Sequence, residues 1–224
     1  MTRNVMLTDD YLIRQINIYL AALANIVGLK TAYMYVEAQL AVDQALEEIF
    51  GLPANLLRQM DDDAILEAAT HLDVLNLDKL QAAADVFREE GELLEMRGSP
   101  EQAAQSYTRA LNFYLDAVLN GGAWNLPDPT DKIEWLIDKL AATPLDPDTQ
   151  YGLYLYAEKQ GQWHRAEWLL DRLAQYPDLK DEAVRLRTEF YAKLARLDEA
   201  ALVAGNLTRT HVLAQAAKYG GEPG

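Results

Sequence analysis

The chain is predicted to be all-α: an α-solenoid of helical hairpins with single-helix insertions. Three observations predict it. One spelling recurs four times, most clearly as Phe87, Gly91, Leu94, Gly98, Ala103, Tyr107 and Ala110, with small residues where two antiparallel helices must touch. The other copies centre on Ala38, Ala166 and Ala200, so the key alanines are separated by 65, 63 and 34 residues. A fixed interval, twice lengthened by about one helix, marks stacked repeats. No stretch shows β-branched alternation of strand length.

The first helix is expected over about 9–30, capped by Thr8 or Asp9, with Leu12, Ile13, Ile16, Leu20, Leu23 and Val27 at helical spacing. The second, 32–50, repeats Ala38, Val42, Ala45, Leu46 and Ile49 and stops at Gly51, with Pro53 beyond. Residues 53–77 read as an insertion of one or two short helices capped by Asp61, Asp62 or Asp63. Helices 78–97 and 100–120 pair across Gly98, where Ser99-Pro100-Glu101-Gln102 spells a capping box with proline at the first helical position. Gly91 and Ala103 are expected to face each other across this hairpin.

Asn120-Gly121-Gly122 stops the pair, and Asp128-Pro129-Thr130-Asp131 opens a short helix through Ile133, Leu136, Ile137 and Leu140. Helices 147–160 and 163–175 then flank Gly161, and helices 179–195 and 198–216 flank Arg196. The expected domains are an N-terminal block 1–122, a linker 123–129, a C-terminal block 130–219 and a disordered tail 220–224.

Net charge is −15, and it is unevenly spread. Residues 37–131 hold 19 acids and five bases, whereas 1–36 and 132–224 are close to balanced. Such a field repels phosphate backbones, so nucleic acid and anionic membranes are not expected partners; a basic peptide or protein surface is the candidate, beside plain solubility. With no cysteine, disulfides and thiolate chemistry are excluded, and a reducing cytoplasm suits the composition. Acidic residues precede the first apolar run, the wrong order for a secretory signal, and the uncharged run Gln15–Leu29 is too short to span a bilayer.

No cofactor, metal or catalytic centre is expected. His71, His164 and His211 fall on separate elements and share no zinc spacing. Asp61-Asp62-Asp63 lacks the alternation and glycine of a calcium loop and reads as an acidic helix start. Glu89, Glu90, Glu92 and Glu95 crowd one helix, a weak match to acid-base catalysis. There is no phosphate loop, nucleophile elbow or dinucleotide fingerprint. Tyr151, Tyr154 and Tyr156 near Trp163 and Trp168 suit either repeat packing or an aromatic peptide surface.

The stretches 84–111 and 151–177 resemble tetratricopeptide repeats, through Gly91, Gly98, Ala103, Tyr107 and Ala110 in one and Gly161, Trp163, Ala166 and Tyr176-Pro177 in the other. The 34-residue interval fits that family's period. The copies at Ala38 and Ala200 lack the turn glycine. Most of the chain also resembles an uncharacterised bacterial family of helical repeat proteins, in Asp10-Tyr11-Leu12-Ile13-Arg14-Gln15-Ile16 and Glu47-Glu48-Ile49-Phe50-Gly51-Leu52. The tetratricopeptide resemblance implies a groove lined by the first helix of each hairpin. It nominates Arg88, Glu89, Glu92 and Glu95 for charge selection, Tyr151 and Leu155 for apolar anchoring, and Arg185 in the last hairpin.

The expected function is therefore a non-enzymatic scaffold that binds a protein segment. The alternative is a homodimer joined through the N-terminal hairpin. Helix one carries apolar residues around much of its circumference, which makes Leu12, Ile16, Leu20, Leu23 and Val27 the candidate self-association residues, unless the insertion 53–77 covers them.

Overall fold

A computed structural model describes residues 2–71, 74–121 and 126–219. Among the described residues the regular structure is helical, apart from one two-residue antiparallel ladder, and the chain divides into two compact units, residues 1–144 and 145–224.

The first unit opens with α1 (Thr2–Thr31) and α2 (Tyr35–Phe50). The insertion follows as α3 (Ala54–Leu57), α4 (Asp62–Ala69) and the ladder of β1 (Thr70–His71) with β2 (Val74–Leu75). This ladder lies in a region expected to hold only helices; two residues per strand fall below any periodicity a sequence can display. Asp61 caps α4, accepting from Ala64 N at 2.8 Å. Then come α5 (Leu77–Met96), α6 (Pro100–Leu119) and α7 (Thr130–Lys139).

The centre of this unit is α5, which packs against α1, α2, α4 and α6. Its core is made of small and aromatic residues, Ala82, Ala83, Ala84, Val86 and Phe87, all 2% exposed or less. The rings of Phe87 and Phe113 of α6 meet edge to face at 5.8 Å. The nearest neighbour of Gly91 is the Tyr107 ring, one turn further along α6 than the Ala103 expected to face it. α7 packs on α6, with Trp135 edge-on to Tyr107 at 5.5 Å, so the compact units part at Pro144/Leu145 and residues 130–144 join the first. The expected linker 123–129 lies partly, and the tail 220–224 wholly, outside the described residues.

The α5–α6 turn also differs from expectation. Gly98, at φ +77°, closes α5 with Gly98 N donating to Glu95 O and Ser99 N to Leu94 O, a left-handed cap of Schellman type. Ser99 is thereby committed to α5 through its backbone, and its hydroxyl caps nothing at the start of α6. The same pair of bonds closes α1 at Tyr33 and the first helix of the second unit at Gly161. Each of these residues lies five positions before a key alanine.

The second unit contains α8 (Pro147–Lys159), α9 (Trp163–Leu173), a 3-10 turn Pro177–Leu179, α10 (Lys180–Leu194), α11 (Glu199–Ala204) and α12 (Arg209–Tyr219). Asp146 caps α8 by accepting from Thr149 N at 2.8 Å. The expected helix 198–216 is broken. Leu207 N donates to Leu202 O and Asn206 N to Val203 O, with Asn206 at φ +60°, so the fourth turn closed by this pair of bonds falls at Asn206 and not at Arg196. Ala200 is consequently exposed and is no packing alanine. Gly205 instead passes under Trp163, whose indole N–H donates to Ala201 O at 3.0 Å. Tyr154, Phe190 and Tyr191 form the aromatic core, and Tyr219 stacks on Tyr191 at 5.8 Å.

Candidate interaction surfaces

Helical spacing places Asp85, Arg88, Glu89, Glu92 and Glu95 along α5, and Glu90 on another side of the same helix. This is the acidic face nominated for charge selection. Its charges are answered from within the unit. The ammonium of Lys30, 7% exposed, reaches Glu89 and, at 2.6 Å, Glu92. Arg88 pairs with Glu89 at 2.5 Å, and its guanidinium lies 5.8 Å from the Trp135 ring centre. Burial works against the Arg88 charge, yet Glu89, Tyr114, Glu92 and Asp85 outweigh it and raise its pKa.

The remaining acids are likewise engaged. Asp85 accepts from Tyr114 Oη at 2.6 Å and pairs with Lys132 of α7. Burial, then the Asp85 charge, raises the Tyr114 phenol well above its ordinary value. Glu90 accepts from Arg58 Nε at 2.8 Å, from Gln39 Nε2 at 3.2 Å and from Ser106 Oγ at 3.1 Å. Glu95 accepts from Lys139 at 2.7 Å and from Tyr107 Oη at 3.0 Å, and the Lys139 hydrogen bond holds its carboxyl below the usual range. Glu89 is 3% exposed. It is an internal carboxylate and not a surface contact, while Arg88 and Glu92 are half-buried and Glu95 is exposed.

In the second unit Tyr151 is 39% exposed beside Tyr154, and Leu155 is half-buried. Arg185 is exposed and clamped to Glu182 and Glu189 on its own helix. Of the aromatic group, Tyr154, Tyr156 and Trp163 are core, whereas Trp168 is half exposed under the Arg172 guanidinium at 4.9 Å. Among the described residues no group of His, Asp and Glu is placed to hold a metal ion. Asp62 serves Arg109 and Asn112, each at 2.8 Å.

The N-terminal hairpin is the contrasting surface. Ile26 is fully buried, and Ile16 and Leu23 are half-buried against the unit. Leu20 and Val27 remain 48% and 42% exposed, together with Ile18. The Leu12 side chain lies outside the described residues. No described residue of the insertion covers Leu20 or Val27, which stay exposed, while α3 packs on α2 and α4 on α5. Tyr33, Val36 and Leu40 add exposures of 74%, 69% and 56% at the tip and along α2. Sequence reasoning missed these three. The signal was present in the spacing, since Tyr33 stands where Gly98 and Gly161 stand in the other hairpins, and a left-handed turn residue points outward.

No helix among the described residues is long and apolar enough to cross a membrane. No curated protein and no solved structure matches the chain. A family model does match, over residues 6–216, and its description is a family of unknown function, DUF6483. With nearly its whole length covered, the chain belongs to that family.

Proposed function

We propose that the chain is a non-enzymatic protein-protein interaction scaffold of tetratricopeptide-like hairpins, whose recognition surface is the apolar face of the N-terminal hairpin. The observation that carries this reading is the contrast between two surfaces. The carboxylates of α5 already hold Lys30, Arg58, Arg88, Lys132 and Lys139 as partners. A basic peptide gains little from charges that are already paired. The hairpin instead exposes Leu20, Val27, Tyr33, Val36 and Leu40, which no described element covers, and exposed apolar surface marks interaction sites on folded proteins where it is contiguous.

The left-handed turns shared by Tyr33, Gly98 and Gly161 support the repeat reading, since one turn geometry then joins three successive hairpins. The cysteine-free composition supports a reducing cytoplasm as the setting. A photo-crosslinking amino acid placed at Leu20 or Val36, and for comparison at Glu92, tests the proposal in producing cells. Protein adducts are expected from the two hairpin positions and not from Glu92. Adducts from Glu92 alone contradict it.

A further inference from the structure

We infer that the occupant of the hairpin face is a second copy of this chain, docked antiparallel along α1 about a two-fold axis near Ala24. The inference rests on reading that face as the recognition surface. Its first support is charge. Residues 15–29 carry none, and the exposed positions from Asn17 to Gly28 on the outer side of α1 are therefore all uncharged. Elsewhere the chain carries −15, so copies repel one another over most orientations and meet no opposing charge here. A strongly charged partner finds nothing between Gln15 and Leu29 to pair with.

Shape is the second support. Ala24 and Gly28 leave a low strip between the flanking Leu20 and Val27 and, on the other side, Ile18; a β-carbon added to Gly28 would meet nothing within 4 Å. Two such strips face to face allow an interaxial distance near the short end of the usual 8–10 Å or so. A two-fold axis crossing the helices sets like flanks side by side, which brings Leu20 of one copy against Val27 of the other. Antiparallel macrodipoles also attract.

The third support is area. With 30 residues α1 is about 45 Å long, whereas the 16 residues of α2 span about 24 Å. An antiparallel mate centred near Ala24 therefore runs past the hairpin tip, where Tyr33 and Met34 are exposed. Residues 17–31 of the two copies then overlap over about 22 Å, and the N-terminal turns of each mate extend the contact across the other's tip; a standard stable interface takes about 800 Å² per copy. The arrangement is isologous and closes on itself.

Sedimentation equilibrium at high micromolar concentration is expected to give twice the 25.2 kDa of the chain. Leu20→Glu with Val27→Glu should give the single mass with unchanged circular dichroism, since both residues are exposed and the fold does not need them. The chain has no cysteine, so Ala24→Cys offers a clean second readout: oxidation should convert it to a disulfide-linked dimer, and Glu101→Cys should stay monomeric. A wild-type mass of 25.2 kDa together with an Ala24→Cys protein that does not cross-link overturns the inference. If the hairpin photo-crosslinkers then capture a different protein, the recognition reading survives without the second copy; if they capture nothing, both fall.

Discussion

The Tyr107 ring occupies the space that a side chain on Gly91 would need: a β-carbon built there falls 2.4 Å from both Cδ1 and Cε1. The glycine therefore serves the contact between α5 and α6, while Gly98 serves the turn. The two functions separate cleanly by substitution. Gly91→Ala overpacks a buried ring and is expected to cost about 1–3 kcal/mol. Gly98→Ala meets no atom within 4 Å and carries only the left-handed backbone penalty, about 1 kcal/mol. Urea denaturation of both variants, and of Gly91→Ala combined with Tyr107→Leu, checks this; the double variant should recover part of the loss.

Ser99 and Asp146 both precede a helix that begins with proline, yet only Asp146 bonds through its side chain to a free helix N–H. Ser99→Ala is expected to leave the denaturation midpoint within about 0.5 kcal/mol of wild type. Asp146→Ala should cost about 1 kcal/mol. Equal losses in the two would show that the Ser99 hydroxyl caps after all.

How much was legible in the sequence follows from the range of each interaction. The α5–α6 boundaries, the acidic helix start at Asp61 to Asp63 and the break at Gly51 were readable because they are settled within a few residues. The close contact of Gly91 with the Tyr107 ring was not read, since a spacing names a face and not the residue that fills it. The acidity of α5 was legible, but its neutralisation was not: Lys30 and Lys132 lie 59 and 47 residues from the carboxylates they meet. Counting charge by segment cannot see such pairs. The last helical turn was misplaced because Asn206 takes the left-handed position expected of a glycine, as Tyr33 does after α1.

Among the described residues Lys30 links α1 to the buried Glu89 carboxylate, and Arg88 alone cannot complete its hydrogen bonding. Lys30→Met is expected to destabilise by about 3–5 kcal/mol, because it leaves a buried charge short of a partner. Adding Glu89→Gln should restore a large part. Thermal denaturation of the single and double variants measures the coupling.

Asp116 is titrated upward by burial, and then by Asp62 and Asp63, from 3.8 to about 6. An acid whose folded pKa lies above its unfolded value favours folding while protonated, and that advantage is lost as pH rises through the folded pKa. Near pH 4 Asp116→Asn should therefore change stability little. At pH 7.5 the same variant should be more stable than wild type, since it removes a charge that the site disfavours. A stabilisation independent of pH would contradict this assignment.

The central claim is that two copies of the chain associate through the uncharged hairpin face and not through the acid-rich face of α5. Its most direct test is the dissociation constant of the dimer by sedimentation at 0.1 M and 1 M sodium chloride. Screening shortens the Debye length from about 10 Å to about 3 Å across that range, whereas apolar contact does not weaken. The constant is expected to stay the same or to fall. A tenfold or greater rise at 1 M salt, or no association at either concentration, would contradict the account.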